Sequence, residues 1–107
     1  MSIAPSLGGA PPLLPDGALV RAFLAGDARA FGELYERHCR WVAGLVFRLC
    51  GHDRDLDDVL QETFVEAMRG LPRLRSPDDF RPWLGAIAVR RVRRRFRSQS
   101  RFKAWLG

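Results

Sequence analysis

The acidic segment "DVLQETFVEAM", residues 58–68, is the part of the sequence whose side chains first suggest chemistry. Three carboxylates and one glutamine follow a helical pattern there, and the segment contains no histidine, serine or cysteine. Paired carboxylates can act as general acid and base when a cleft shifts the pKa of one of them. Nothing in the sequence predicts such a cleft, so we interpret the segment as a binding surface and predict neither enzymatic activity nor a cofactor.

The helical pattern predicts a polar face opposite the apolar stripe of this segment. Most of its members are charged, one is apolar, and a glutamine lies at the flank: Asp55, Asp58, Gln61, Glu62, Val65 and Arg69. A solvated surface is the plain interpretation of such a face. An apolar side chain within it, and a glutamine among carboxylates, favour a second interpretation, which is docking against arginines on another helix.

Charge is divided unevenly along the chain. Residues 1–68 contain six arginines and ten acidic residues, a net charge of −4, whereas residues 69–107 contain twelve basic and two acidic residues, a net charge of +10. This asymmetry predicts a polyanion, either nucleic acid or lipid headgroups, as the partner of the basic end. It also predicts a separate, basic partner for the acidic end.

Arginines of the basic end form a stripe on one flank of a helical wheel, made of Arg90, Arg93, Arg94, Arg97 and Arg101. A basic helix can also lie on a membrane or keep a protein in solution. The apolar side from Leu84 to Ala88 is needed by the core, however, and leaves little to insert. Because the planar guanidinium group suits phosphate oxygens, we favour nucleic acid and predict no membrane insertion.

Length and composition predict the scaffold that carries these groups. A chain of 107 residues is long enough for one domain of three or four helices. Abundant leucine, alanine and arginine, with a single tyrosine, favour an all-α fold. We predict a compact bundle of about four helices over residues 16–100. A disordered leader, residues 1–15, precedes it, and residues 101–107 are the start of a linker or a truncated end.

The first two predicted helices are bounded by aspartate and glycine. Asp16 is predicted to cap a helix that ends at Gly26, and Asp27 to cap a second helix that ends at Gly51. The apolar positions of the second helix are Phe31, Leu34, Tyr35, His38, Val42, Leu45, Val46 and Leu49.

Asp53 or Asp55 is predicted to cap a third helix, whose apolar stripe is Leu56, Val59, Leu60, Thr63, Phe64, Ala67, Met68 and Leu71. A structured loop, "PRLRSPDDFRP", then leads into the last helix, because Ser-Pro at 76–77 is a helix-start signal. Phe80 and Trp83 are most simply core residues. An aromatic exposed beside arginine would instead let an unpaired base stack on it.

The two cysteines do not predict a disulfide or a metal site. Cys39 and Cys50 lie eleven positions apart on one predicted helix, so about 16 Å separates their α-carbons. The same distance prevents one ion from reaching both ends of a set with His38 and His52. Reduced thiols, no export signal and no apolar run long enough for a bilayer together favour the cytoplasm.

Three segments, taken in order, resemble region 2 of the sigma-70 family of bacterial RNA polymerase sigma factors, extracytoplasmic-function (ECF) group. They are "GDARAFGELYERH", "DLDDVLQETFVEAM" and "FRPWLGAIAVRRVRRRFR". The resemblance covers about residues 16–100 and follows the order and spacing of the family. It implies a sigma region 2 helical bundle that works by binding.

The resemblance assigns partners to the two charged surfaces. Residues 53–69 are implied to dock on the clamp coiled coil of the RNA polymerase β′ subunit, through Asp55, Asp58, Gln61, Glu62 and Val65. Residues 71–80 and the following helix are implied to capture the melted promoter −10 element on the non-template strand. The expected DNA-binding residues are Arg73, Arg75, Ser76, Asp78, Asp79, Phe80, Trp83, Arg90, Arg93, Arg94 and Arg97.

Sigma factors of this group continue into a helix-turn-helix domain that reads the −35 element, and the 107 residues contain no counterpart of it. We therefore expect either a fragment or an unusual one-domain protein. A second hypothesis is a sigma-like interaction module that occupies polymerase or an anti-sigma factor without initiating transcription. A third, a basic bundle on a membrane surface, lacks an apolar face for insertion.

Overall fold

A computed structural model describes residues 14–106, apart from the side chains of residues 100–103. It contains four helices: α1 at Asp16–Leu24, α2 at Arg29–Cys50, α3 at Leu56–Gly70 and α4 at Phe80–Leu106. No strand occurs between residues 14 and 106, so the predicted all-α bundle is confirmed. Residues 1–13 of the predicted leader and the side chain of Arg101 lie outside the described part.

Two 3₁₀ turns fill most of the connection between α3 and α4, at Leu71–Arg73 and Pro77–Asp79. The N–H of Leu74 donates to the carbonyl of Leu71 at 3.0 Å, and the N–H of Asp79 donates to the carbonyl of Ser76 at 2.8 Å. Each turn carries a proline at one of its first positions, where the missing N–H is not needed. The loop is therefore structured, as the sequence predicts.

Two glycines end the first helices in the way that the sequence predicts. Gly26 has φ 110° two residues after α1, and Gly51 has φ 78° directly after α2. Residues with a side chain rarely adopt such angles. Asp27 lies one residue before the N-cap position of α2, which is Ala28, and its Oδ1 accepts a hydrogen bond from the N–H of Arg29, the first residue of the helix, at 3.1 Å.

The predicted capping roles of Asp16 and Asp55 are wrong. Asp16 is the first residue of α1, and its carboxylate accepts hydrogen bonds from Arg37 Nη1 at 2.9 Å and His38 Nε2 at 3.0 Å. Asp55 stands at the N-cap position of α3 but makes no capping bond, since Arg95 and Gln99 occupy its oxygens. In both cases a cationic or buried partner on another helix competes successfully with the local N–H groups.

The core lies where all four helices meet. Its buried apolar members are Leu19, Val20, Ala30, Leu34, Val42, Val46, Val59, Phe64, Ala67, Leu71, Phe80, Leu84, Ile87, Ala88 and Val92. Thr63 is buried with them and satisfies its hydroxyl by donating to the carbonyl of Val59 at 2.7 Å. Three residues of the predicted stripes, Tyr35, Leu49 and Met68, are exposed instead.

Phe80 is a core residue, which overturns its place among the expected DNA contacts. Its side chain has no solvent-exposed area, and its ring centroid lies 5.4 Å from that of His38 and 6.0 Å from that of Trp83. The reason is its place as the first residue of α4, where the chain turns inward from the loop. A base could reach Phe80 only if the bundle opened.

α4 is longer than predicted. It continues as helix to Leu106, through the residues predicted as the start of a linker. Its last buried residue among the described side chains is Val92, so the following turns of helix are held by polar contacts or project into solvent.

Phe80→Ala is expected to destabilise the fold by about 3–5 kcal/mol, because it removes a fully buried ring and leaves a cavity. Phe47→Ala is the matched control, since Phe47 is 47% exposed and should change stability by about 0.5 kcal/mol or less. Chemical denaturation followed by circular dichroism measures both. Equal losses in the two variants would contradict the core position of Phe80.

Candidate protein and nucleic-acid interfaces

The arginines of α4 divide into two rows. Arg90, Arg93, Arg94 and Arg97 follow the spacing of one helical face and are all exposed. Arg91 and Arg95, four residues apart, are half-buried and point towards α3. We call the first row the outer row and the second the inner row; sequence reasoning identified the outer row and missed the inner one.

The inner row is paired with the acidic residues of α3. Arg95 Nη2 lies 2.9 Å from Glu62 Oε2, and its Nη1 lies 3.5 Å from Asp55 Oδ1. Arg91 Nε lies 2.8 Å from Glu66 Oε1, and its Nη1 lies 3.8 Å from Glu62 Oε1. These contacts join residues 25 to 40 positions apart and connect α3 to α4 along much of their shared length.

The pairing corrects the predicted acidic face. Asp55 and Glu62 were expected to be free for a partner, but their carboxylates are already bound to arginine within the chain. Asp58 is different, because its side chain is 71% exposed and its one ion pair, to Arg95, spans 3.9 Å. The helical pattern correctly placed these residues on the face of α3 opposite the core. It could not show that α4 lies against this face.

The outer row remains available. Arg90 makes one long contact, 3.6 Å from its Nη2 to Glu66 Oε2, and its side chain is 58% exposed. Arg93, Arg94 and Arg97 form no hydrogen bond or ion pair with any described residue. Their guanidinium groups are therefore free to bind an anion.

Cys50 lies near the start of α3, close to the pair formed by Asp55 and Arg95. Burial raises the pKa of the Cys50 thiol, the charge of Asp55 raises it further, and the charge of Arg95 opposes the shift. A thiol with a raised pKa carries less thiolate at neutral pH and is a poor nucleophile. This supports a structural role for Cys50.

The exposed side of α3 continues into an apolar groove against α2. Gln61 and Val65 lie at its rim, and the groove is lined by Phe31, Tyr35, Asp57, Leu60, Phe64 and Met68. The Tyr35 ring meets Phe64 edge-on at 4.8 Å between centroids. Sequence reasoning assigned the apolar members of this groove to the core. The stripes of α2 and α3 contain more apolar residues than the core buries, and this excess was the available signal for a surface groove.

The loop before α4 borders a second cavity. Its walls combine donors, acceptors and one aromatic ring: Arg73, Leu74, Arg75, Ser76, Asp79, Pro82 and Trp83. Trp83 is half-buried, and a β-carbon placed on Gly70 would lie 3.2 Å from its ring, so the absence of a side chain there gives the indole its space. Most of the predicted loop residues meet here.

Asp78 is the exception in the loop, because it faces away from this cavity and towards α1. Its Oδ2 lies 3.8 Å from Arg21 Nη2, and both side chains are exposed. Asp78 and Asp79 are adjacent in sequence but therefore belong to different surfaces.

Metal-binding clusters and membrane-spanning helices are both absent from the described residues. Within residues 14–106, no group of three or more histidine, cysteine or acidic side chains is arranged to hold a metal ion. No helix in the same part of the chain has the length and apolar character needed to span a bilayer.

The geometry defines a small helical module with a row of exposed arginines on α4 and an apolar groove between α2 and α3. The family model for sigma-70 region 2 matches residues 34–105. The chain therefore belongs to the sigma-70 region 2 family, as its sequence motifs predict.

Relatives with known names support this assignment. The chain is 39% identical over 89 residues to the RNA polymerase sigma factor NccH of Alcaligenes xylosoxydans xylosoxydans, covering 81% of this chain and 48% of that protein. It is 38% identical over 88 residues to the ECF RNA polymerase sigma-E factor of Haemophilus influenzae, covering 82% and 46% respectively. The chain thus spans about half the length of these relatives.

A solved structure has the same fold. It is an NMR structure of an engineered region 2 of sigmaE in complex with GTAAAA, with a TM-score of 0.74 and 36% sequence identity. The match covers 82% of this chain and 92% of the other. The predicted sigma region 2 fold is therefore confirmed.

Arg95→Ala is expected to destabilise the fold by about 1–2 kcal/mol, because it leaves Asp55 and Glu62 without their charged partner. Arg94→Ala is the neighbouring control and should cost about 0.5 kcal/mol or less. The difference should shrink in 1 M salt, where exposed charges are screened over about 3 Å. Urea denaturation at two salt concentrations measures it, and equal stability of both variants would contradict the two-row arrangement.

Proposed function

We propose that this chain is the promoter −10-binding and polymerase-binding module of an ECF sigma factor. The observation that carries the proposal is the placement of a mixed polar and aromatic cavity near a row of exposed arginines, three of which pair with no described residue. A sigma region 2 of the same fold has been solved in complex with the oligonucleotide GTAAAA, which supports the same ligand class here. The module acts by binding and uses no catalytic group.

The loop cavity is the proposed reader of bases. Ser76 and Asp79 supply acceptors, Arg73 and Arg75 supply donors, and Trp83 supplies a ring against which a base can stack. Phosphate contacts alone are the same for every sequence, so selectivity must come from such a cavity. The 3₁₀ turns order its backbone before binding. The entropy cost of ordering the loop when DNA binds is therefore smaller.

The outer row is the proposed contact for the sugar-phosphate backbone. Its exposed guanidinium groups extend along α4, starting two turns after the cavity. Each phosphate neutralised on a single strand releases counterions, which gives a slope of about −0.7 in log affinity against log salt. Unstacking a base costs a few kcal/mol, and contacts in the cavity and along this row can offset that loss.

The exposed side of α3 is the proposed contact for the clamp coiled coil of the polymerase β′ subunit. Asp58 provides a largely exposed negative charge, Gln61 provides an amide, and Val65 lies between them and the apolar groove. An apolar centre with a polar rim is the usual composition of a protein interface. We assign Asp55 and Glu62 a supporting role, since their charges are used inside the chain. A role inside the cell, with polymerase, follows from this proposal.

Asp58→Arg is expected to weaken binding to a β′ coiled-coil fragment at least tenfold while the fold stays intact, because the exposed carboxylate would be replaced by a like charge facing arginine. Glu33→Arg makes the same reversal of charge at an exposed position on α2, outside the proposed face, and should leave binding unchanged. Fluorescence anisotropy measures affinity and circular dichroism measures helix content. Normal binding by a folded Asp58→Arg protein would contradict the proposed face.

Single-stranded −10 oligonucleotides are expected to bind this chain in a way that depends on base identity at one or two positions. A well-made pair of hydrogen bonds discriminates by about 1–3 kcal/mol, a magnitude taken from duplex readout. Arg94→Ala and Arg97→Ala should each lower affinity for every oligonucleotide and reduce the salt slope by about 0.7. Titration of a panel with each single-base change measures both effects. Equal affinity for all members would rule out promoter reading and favour the interaction-module hypothesis.

A further inference from the structure

The start of α1 packs against the loop before α4, and the two adjacent residues Asp16 and Gly17 make the contacts described below. Gly17 is buried in the first turn of α1, and the carboxylate of Asp78 lies directly over it. A β-carbon on Gly17 would overlap Asp78 Oδ1 and lie 2.9 Å from its Cγ. No side chain larger than hydrogen leaves Asp78 in this place.

Charge reinforces the contact without dominating it. The side chains of Arg21 and Asp78 are 60% and 69% exposed and 3.8 Å apart, so their ion pair contributes little by itself. A carboxylate beside the first turn of a helix is also favoured by the partial positive charge of that helix end. The close approach permitted by Gly17 is therefore the part of the contact that sequence change can most easily remove.

The second contact starts from Asp16, next to Gly17. The Asp16 carboxylate accepts hydrogen bonds from Arg37 and from His38 Nε2, and the His38 ring packs against Phe80. His38 is 2% exposed, so this path runs through the core. Asp16 and Gly17 thus contact, directly or through one residue, the two neighbours of Asp79.

We propose that Gly17 and Asp78 are positioning residues that hold the turn Pro77–Asp79 against α1 and thereby place Asp79 at the wall of the loop cavity. Asp78 does not read a base, which revises its expected role. The base-reading part of this inference rests on the proposed function, whereas the anchoring part does not. The anchor predicts that loop order depends on a residue some 60 positions away in sequence.

The test compares Gly17→Ala with Gly32→Ala. Gly32 is also in a helix, and a β-carbon there would meet nothing within 4 Å, so it controls for the change in helix propensity. Neither variant should lose thermal stability, because the Asp78 side chain can rotate away from a methyl group. Amide hydrogen exchange of Asp79, whose N–H donates to Ser76, should become about fivefold faster or more in Gly17→Ala and stay unchanged in Gly32→Ala.

This exchange measurement needs no DNA and decides the anchor alone. Unchanged exchange at Asp79 in Gly17→Ala would overturn the proposal. If the wild-type chain proves to bind every oligonucleotide equally, the proposed function fails, and the exchange result still decides whether α1 holds the loop.

A second experiment measures DNA binding by Gly17→Ala, Asp78→Ala and the double variant with the same oligonucleotide panel. Base discrimination should fall severalfold in each single variant, with affinity for non-cognate strands unchanged. The double variant should lose no more than either single variant, because both remove the same anchor. Additive losses would show that Asp78 acts on DNA independently of Gly17, and full discrimination by Gly17→Ala would show that the contact with Gly17 is not needed. Either result would overturn the positioning role.

Discussion

The pairing of arginine with carboxylate between α3 and α4 is the contact on which both surfaces depend. Apolar packing holds α4 only as far as Val92, so the next turns are fixed by Arg95, its acidic partners and the hydrogen bond from Gln99 to Asp55. Individual exposed ion pairs stabilise little, but a network of half-buried ones also fixes the rotation of the helix about its axis. With the inner row turned to α3, the spacing of an α-helix turns the outer row to solvent.

This arrangement also separates paired from exposed charges on the surface of the molecule. Free carboxylates on α3 would repel the phosphates of a nucleic acid. The carboxylates nearest to α4 are instead neutralised by Arg91 and Arg95. The outer row stays exposed, with only Arg90 in a long contact to Glu66, and Asp58 on α3 keeps 71% of its side chain exposed. The two partners proposed above, which carry opposite charges, would then use different side chains of one small bundle.

Local patterns in the sequence predicted the helices well, and long-range pairing explains where they failed. Glycine at positive φ and aspartate before α2 depend only on neighbouring backbone, so the ends of α1 and α2 followed from Gly26, Asp27 and Gly51. The failed cap at Asp16 depends on His38, 22 residues away, which no local rule contains. Among the site residues, the wheel found the outer row, but the partners of Glu62 required knowledge of how α4 crosses α3.

A loop that reads flipped bases must be rigid before DNA arrives, because unstacking already costs a few kcal/mol and ordering the loop would add to that. Two 3₁₀ turns and their prolines supply local rigidity, but a short turn with one internal hydrogen bond can still move as a unit. The turn Pro77–Asp79 must therefore also be attached to the helical bundle. Phe80 does so from the core side and Asp78 from the α1 side, leaving Asp79 between two fixed neighbours. The glycine in α1 is thus explained by the loop, although no pattern within α1 itself requires it.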